Sequence, residues 1–240
     1  MDKVLEINGL SKVYEDFKLE NINFNIKKGE IVGFIGENGA GKTTTIKAIL
    51  KTVLPDKGSI KIFDKNFDED EKEIKEQLGV VFDDSFLSDT LTASEVSKVL
   101  RHIYKSWDEA YFFKMMDSFQ IPLNKRIKKL SSGMKMKLKI AVALSHHPKL
   151  LILDEPTSGL DPIIRNEILM IFKEYVKGGE TSIFFSTHII SDLENIADKI
   201  IFIHKGKLIF IKNRNEFFEG GSIERVMLSY VKGDEVKCQI

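Results

Sequence analysis

Short, wholly apolar runs alternate along this chain with stretches whose apolar positions recur at helical spacing. β-Branched and aliphatic residues, each run closed by glycine or acid, occupy Ile31–Ile35, Val80–Phe82, Leu150–Leu153, Ile183–Ser186 and Ile200–Ile203. Runs of this length with no polar alternation read as strands buried on both faces. Helical periodicity fills Thr43–Lys51, Met134–His147, Pro162–Lys177 and Ser191–Ala197, with Pro162 at a helix start and Gly178-Gly179 at a helix stop. Strand-helix alternation predicts an α/β fold with a mainly parallel sheet, whose ligand site lies at the carboxyl ends of its strands.

The middle of the chain departs from this rhythm. Around Arg101–Phe119 it is helical and aromatic, with Tyr104, Trp107, Tyr111, Phe112 and Phe113. It reads as a helical insertion between core strands, its aromatics packing a core. Lys135, Lys137 and Lys139 are expected on a solvated helix face, and His146 and His147 as complements to that helix's C-terminal dipole. His102 and His204 have no role beyond surface or packing. Past Phe210 come an expected short helix, Asn213–Glu219, then Gly220-Gly221 and an expected strand, Arg225–Val231.

Composition narrows the partners. The 240 residues carry 36 Lys and Arg against 36 Asp and Glu, so the chain is neutral and lacks the basic excess that binding a nucleic-acid backbone demands; no nucleic acid is expected. The single cysteine, Cys238, excludes an internal disulfide and a cysteine zinc site. The longest stretch free of Asp, Glu, Lys and Arg is eleven residues, Thr181–Ser191, against about 20 for a membrane span. No cleavable leader is read at the N-terminus, so a cytoplasmic location is expected.

Two motifs carry chemistry. Gly36-Glu37-Asn38-Gly39-Ala40-Gly41-Lys42-Thr43 matches the phosphate-binding pattern G-x-x-x-x-G-K-[ST] between a strand and a helix. There the glycines let backbone N–H groups face phosphates, Lys42 adds an ammonium, and the Thr43 hydroxyl ligates Mg²⁺; Thr44 follows in the first helical turn. The second motif is Asp154-Glu155, at the end of Leu150–Leu153. Asp154 would hold Mg²⁺ and Glu155 would orient or deprotonate the attacking water.

In this order the residues resemble the nucleotide-binding subunit of an ABC transporter, over Val4 to about Phe210. Gly36–Thr43 resembles Walker A, and Leu150–Glu155 Walker B with its catalytic Glu. Leu130-Ser131-Ser132-Gly133-Met134 is similar to the signature motif, Ser158-Gly159-Leu160-Asp161 to the D-loop, His188 to the switch histidine, and Tyr14, before Phe17, to the adenine-stacking aromatic. The resemblance implies a P-loop NTPase core of RecA type with a mainly parallel sheet, a small antiparallel β portion and a helical subdomain over about 85–144. It places the ATPase domain at 1–210 and a short C-terminal extension at 211–240. It also implies ATP and Mg²⁺ as ligands, and Ser131, Ser132 and Gly133 acting on the nucleotide of a second ATPase domain, in a homodimer or heterodimer. A separate transmembrane permease subunit would hold the chain at the inner face of the cell membrane.

The chain departs from the family pattern at Ser132 and Met134, which replace a Gly and a Gln, and at Asp83, which stands where the family carries a metal-linking Gln. Asp83 is therefore a further candidate metal ligand. Asp83 and Gly-Met-Lys-Met-Lys after the signature look like the exporter branch that serves bacterial drugs, lantibiotics and phenol-soluble modulins. A soluble relative such as an iron–sulfur assembly ATPase, or a weakly hydrolysing nucleotide module, is the alternative.

Overall fold

The computed structural model describes residues 3–82 and 87–218, with Glu224 and Met227 beyond them. All five apolar runs form strands: β3 (Ile31–Ile35), β6 (Leu78–Val81), β7 (Leu150–Leu153), β8 (Ser182–Thr187) and β9 (Lys199–His204). They lie in the order β9-β3-β8-β7-β6, each pair parallel. Their lack of alternation has a direct cause. Ile31, Ile35, Leu151, Leu153, Ile183 and Phe185 face one core, and Val32, Phe34, Leu150, Ile152 and Phe184 face a second on the other side of the sheet.

The expected helices occupy α1 (Lys42–Ile49), α5 (Ser132–Leu144), α6 (Pro162–Val176) and α7 (Ile190–Ile196), and α8 (Arg214–Phe218) follows β9 and its partner strand. Pro162 sits in the first turn of α6, where its missing N–H costs nothing, and Asp161 caps that turn by accepting from the Ile163 and Ile164 N–H groups.

Strands that the apolar runs do not reveal complete the sheet: β1 (Lys3–Val13), β2 (Lys18–Lys27), β4 (Lys57–Ile62), β5 (Lys65–Asn66) and β10 (Lys207–Asn213). β5, β4, β1 and β2 form an antiparallel wing, joined to β9 through β10. Beside it lies the short α2 (Glu71–Glu76).

Four expectations change. Within the aromatic stretch around Arg101–Phe119 only α4 (Glu109–Ser118), capped by Asp108, is an α-helix; the preceding helix, α3 (Ala93–Leu100), closed at its start by a Thr92–Glu95 capping box, ends ahead of it. The residues between them turn, since two caps within one run cannot serve a single helix. Its core role stands: Phe112 is fully buried, 5.3 Å from the Trp107 ring. Second, the lysines of α5 are not a solvated face. Lys139 is buried and donates to the Phe82 carbonyl, Lys137 pairs with Glu167 of α6, and Lys135 with Asp89. Residues two apart on a helix point to different sides, so each lysine meets a different neighbour.

Third, His146 and His147 lie just past the last residue of α5, Leu144, and their side chains bond chiefly to groups outside that helix. His146 is buried, stacked on Tyr104 at 4.1 Å and bonded through Nε2 to the Leu78 carbonyl, and burial lowers its pKa. His147 turns out to Asp108 at 3.2 Å. Fourth, His204, read as surface or packing, is buried yet carries a polar contact taken up below. The expected strand Arg225–Val231 lies outside the described residues except for Met227, which is helical.

Candidate functional site

β3 delivers the chain into the phosphate loop, and α1 carries it away. Two loop glycines take positive φ, Gly39 at 79° and Gly41 at 111°, a region that side chains with a Cβ rarely adopt. Gly36 is required for another reason: a Cβ there would lie 2.5 Å from the Ile203 carbonyl oxygen. The turn is closed by Ala40 N–H to the Glu37 carbonyl at 3.1 Å. Glu37 and Asn38 stay exposed while Ala40 is buried. Thr43 is exposed at the head of α1 and Thr44 half-buried beside it; no acidic residue lies in that first turn, so its free N–H groups meet no competing side-chain charge.

Lys42 is only 5% exposed, and its Nζ donates to the carbonyls of Gly36 (2.7 Å) and Glu37 (3.2 Å) while standing 3.1 Å from Glu155 Oε1. The other oxygen of Glu155 lies 2.7 Å from His188 Nδ1. Lysine, carboxylate and imidazole thus form one continuous row, delivered by β3, β7 and β8. Glu155 adopts φ 50°, a left-handed conformation costly for a non-glycine residue, directly before Pro156.

Asp154 is buried behind this row. Ser186, near the end of β8, donates its hydroxyl to Asp154 Oδ1 at 2.6 Å and accepts the Glu155 N–H at 3.0 Å. Among the described residues Asp154 Oδ2 accepts no hydrogen bond. A second buried carboxylate, Asp192 of α7, accepts from the Thr157 hydroxyl and pairs with Arg165 of α6, which also donates to Ser191. That cluster ties the segment after Glu155 to the helix after His188. The sequence reading passed over Ser186, Asp192, Thr157 and Arg165; the available signal was one hydroxyl closing an apolar strand one register from the acidic pair.

Other predicted residues are placed elsewhere. Tyr14 is 43% exposed beyond the end of β1, its ring 6.4 Å from Phe17 and 5.8 Å from the Lys12 ammonium. Phe17 is the one that reaches the phosphate loop: its Cζ would lie 2.9 Å from a Cβ at Gly41. Ser131 caps α5, accepting the Met134 N–H at 3.3 Å; Ser132 is exposed, and Gly133 is buried where a Cβ would lie 3.0 Å from Ile164 Cγ2. Among the described residues no hydrogen bond or ion pair joins Ser131, Ser132 or Gly133 to the phosphate loop. Asp83 lies outside the described residues.

A glycine loop on a helix N-terminus, a buried lysine and an acidic pair at the adjoining strand ends define a P-loop nucleoside triphosphatase. The family model described as ABC transporter matches residues 19–158, and the chain belongs to this family. It is similar to the bacitracin transport ATP-binding protein BcrA of Bacillus licheniformis, 38% identical over 87% of this chain and 69% of that protein. It is also 38% identical to the lantibiotic transport ATP-binding protein SrtF of Streptococcus pyogenes, over 87% of this chain and 90% of that one. A solved ATP-binding subunit of an ABC transporter superposes with a TM-score of 0.85 at 29% identity, covering 95% of this chain and all of its own. The chain is therefore an ATP-binding, ATP-hydrolysing member of the family. Among the described residues no helix is long and apolar enough to cross a membrane.

Proposed function

We propose that this chain is the ATPase subunit of an exporter of a peptide, toxin or drug-like compound, acting through a separate transmembrane permease subunit at the inner face of the cell membrane. The observation that carries the reading is the row Lys42–Glu155–His188, which puts an ammonium, a carboxylate and an imidazole side by side at the mouth of a phosphate loop. The similarity to bacitracin and lantibiotic transport proteins supports the cargo class. The cassette is assigned to 1–210, with its helical part at about 85–144 and a short extension at 211–240.

In this reading Tyr14 stacks on the adenine, and the backbone of Gly36, Glu37, Asn38, Gly39, Ala40 and Gly41, with Lys42, Thr43 and Thr44, surrounds the phosphates. The donor set suits Mg²⁺: the Thr43 hydroxyl and the open Oδ2 of Asp154 are hard oxygens, and this ion takes few protein ligands beside substrate phosphate and water. When bound it would neutralise phosphate charge; Asp83 is assigned as a further ligand. Glu155 takes the proton of the attacking water as it approaches the γ-phosphorus in line with the leaving oxygen, and His188 hydrogen-bonds the γ-phosphate. Ser131, Ser132 and Gly133 of a second ATPase domain close the site; among the described residues none of them bonds to the phosphate loop of its own chain, which agrees with a role across the two domains.

The test is phosphate release by the purified chain with Mg-ATP across protein concentrations. Specific activity that rises with concentration supports a composite site made by two copies. Activity that stays strictly proportional to protein refutes it, and recovery of the protein without any membrane protein from gently solubilised cells refutes the permease.

A further inference from the structure

The turn joining β9 to β10 touches the phosphate loop at three points. The Gly206 N–H donates to the Ala40 carbonyl at 3.0 Å. Ile203 walls the loop, its carbonyl oxygen 2.5 Å from where a Cβ of Gly36 would stand and its Cδ1 3.3 Å from one at Gly41. His204 Nδ1 lies 2.9 Å from Glu37 Oε1. The same turn grips the strand that follows the aromatic loop: Glu20 N–H donates to the Gly206 carbonyl at 2.8 Å, and Gly206 has no room for a Cβ, which would meet the Lys18 oxygen at 1.8 Å.

His204 is the informative member of this set. It is 6% exposed, and its Nε2 is buried without a hydrogen-bond partner among the described residues. The tautomer that orphans no buried N–H is therefore the one protonated at Nδ1, the nitrogen that faces the Glu37 carboxylate at 2.9 Å. Glu37 itself lies in the outer half of the loop, where packing is sparse: Asn38 is exposed, and a Cβ at Gly39 would meet nothing within 4 Å. A phosphate loop works only if its N–H groups keep one orientation, and a stretch with few contacts needs a tie from outside.

We propose that His204 is a positioning residue for nucleotide binding, its Nδ1–H holding the Glu37 carboxylate and with it the backbone between Gly36 and Gly41. The proposal rests on the phosphate-loop reading above and adds to it a residue from a strand that carries none of the other groups. It predicts an effect on affinity and none on the chemical step, because Glu155 and His188 come from β7 and β8.

The test uses the full chain, with ATP dissociation constants measured by calorimetry, KM and kcat where turnover is present, and thermal melting as a folding control. His204→Leu and Glu37→Ala should each weaken ATP binding about three- to tenfold, the range of one charge-assisted hydrogen bond shared with solvent. The double variant should be no worse than either, and the kcat of His204→Leu should stay within twofold. His204→Asn, whose amide N–H stands near the position of the imidazole Nδ1–H, should restore affinity to within twofold. Losses that add in the double variant, an Asn variant as weak as the Leu variant, or affinity unchanged by Glu37→Ala would each overturn the proposal. Should His204→Leu fail to fold, the Asn variant and the exposed Glu37 still decide it. A parent chain that binds neither ATP nor ADP would instead overturn the phosphate-loop reading, and this proposal with it.

Discussion

Replacing Glu155 with Gln should separate binding from turnover, and the structure says why. Glutamine has the same length and tolerates φ 50° as well as glutamate does. Its oxygen can stand where Glu155 Oε1 lies, 3.1 Å from the Lys42 ammonium, and its amide can donate to His188 Nδ1. Lys42 also keeps its two carbonyl acceptors, at 2.7 and 3.2 Å, so the phosphate loop should not move. Only the capacity to take a proton is lost, together with one negative charge beside the polyphosphate. A positioned general base contributes about 10²–10⁴ in rate, or about 2.7–5.4 kcal/mol of barrier at about 1.36 kcal/mol per tenfold. The expected outcome is phosphate release slowed by that factor at saturating ATP, with ATP affinity unchanged or tighter. Single-turnover phosphate release and calorimetry, run on the same preparation, measure the two sides. Release within tenfold of the parent would remove Glu155 from its assigned role; a collapse of ATP affinity would show that the Lys42 contact, and not proton transfer, is what the carboxylate supplies.

Other outcomes follow from contacts elsewhere. Asp192→Ala leaves Arg165 and Thr157 facing a buried position without their carboxylate, a change that costs about 3–5 kcal/mol and should lower the melting temperature by roughly 6–20 °C for a chain of this size; a shift under 3 °C contradicts the buried-pair reading. Gly33→Ala drives a methyl group to within 2.1 Å of Leu193 Cδ2 and should destabilise by about 1–3 kcal/mol; paired with Leu193→Ala, the loss should shrink. Burial holds the His146 pKa below its ordinary 6.5, so the unfolded chain binds the proton more readily. Stability should therefore fall as pH drops below 6.5, by about 1.4 kcal/mol for each unit of depression. His146→Phe should flatten denaturant midpoints between pH 7 and 5, and an unchanged slope assigns the pH dependence to other groups.

The parallel strands and the phosphate loop were legible because their physics is local and one-sided. A strand buried on both faces needs only apolar residues, and a loop that wraps phosphate needs glycine at fixed positions. The antiparallel wing was not placed because the reading followed wholly apolar runs: β2 alternates instead, Asn21, Asn23 and Asn25 outward against Ile22, Phe24 and Ile26 buried, as a strand covered on one face does, while the register of β1 with it slips at irregularities. Lys42, Asp154 and Glu155 could be named from motif and spacing, and His188 from the family resemblance. Their supports could not, since Ser186, Asp192 and His204 reach their partners across 32, 35 and 167 residues of chain, and no local window holds both ends.

Strand order also fixes a dimension. β8 lies between β3 and β7, so the backbone that launches the phosphate loop and the backbone that launches Glu155 are held two strand spacings apart, about 9.6 Å. That gauge is built of hydrogen bonds in a sheet covered on both sides, and it cannot stretch without breaking the core. A single subunit therefore has no means of opening this site by separating these strands. Movements large enough to drive work on a neighbour must come from rotating side chains and loops at the strand ends, or from whole subunits approaching and parting across the face that those ends present.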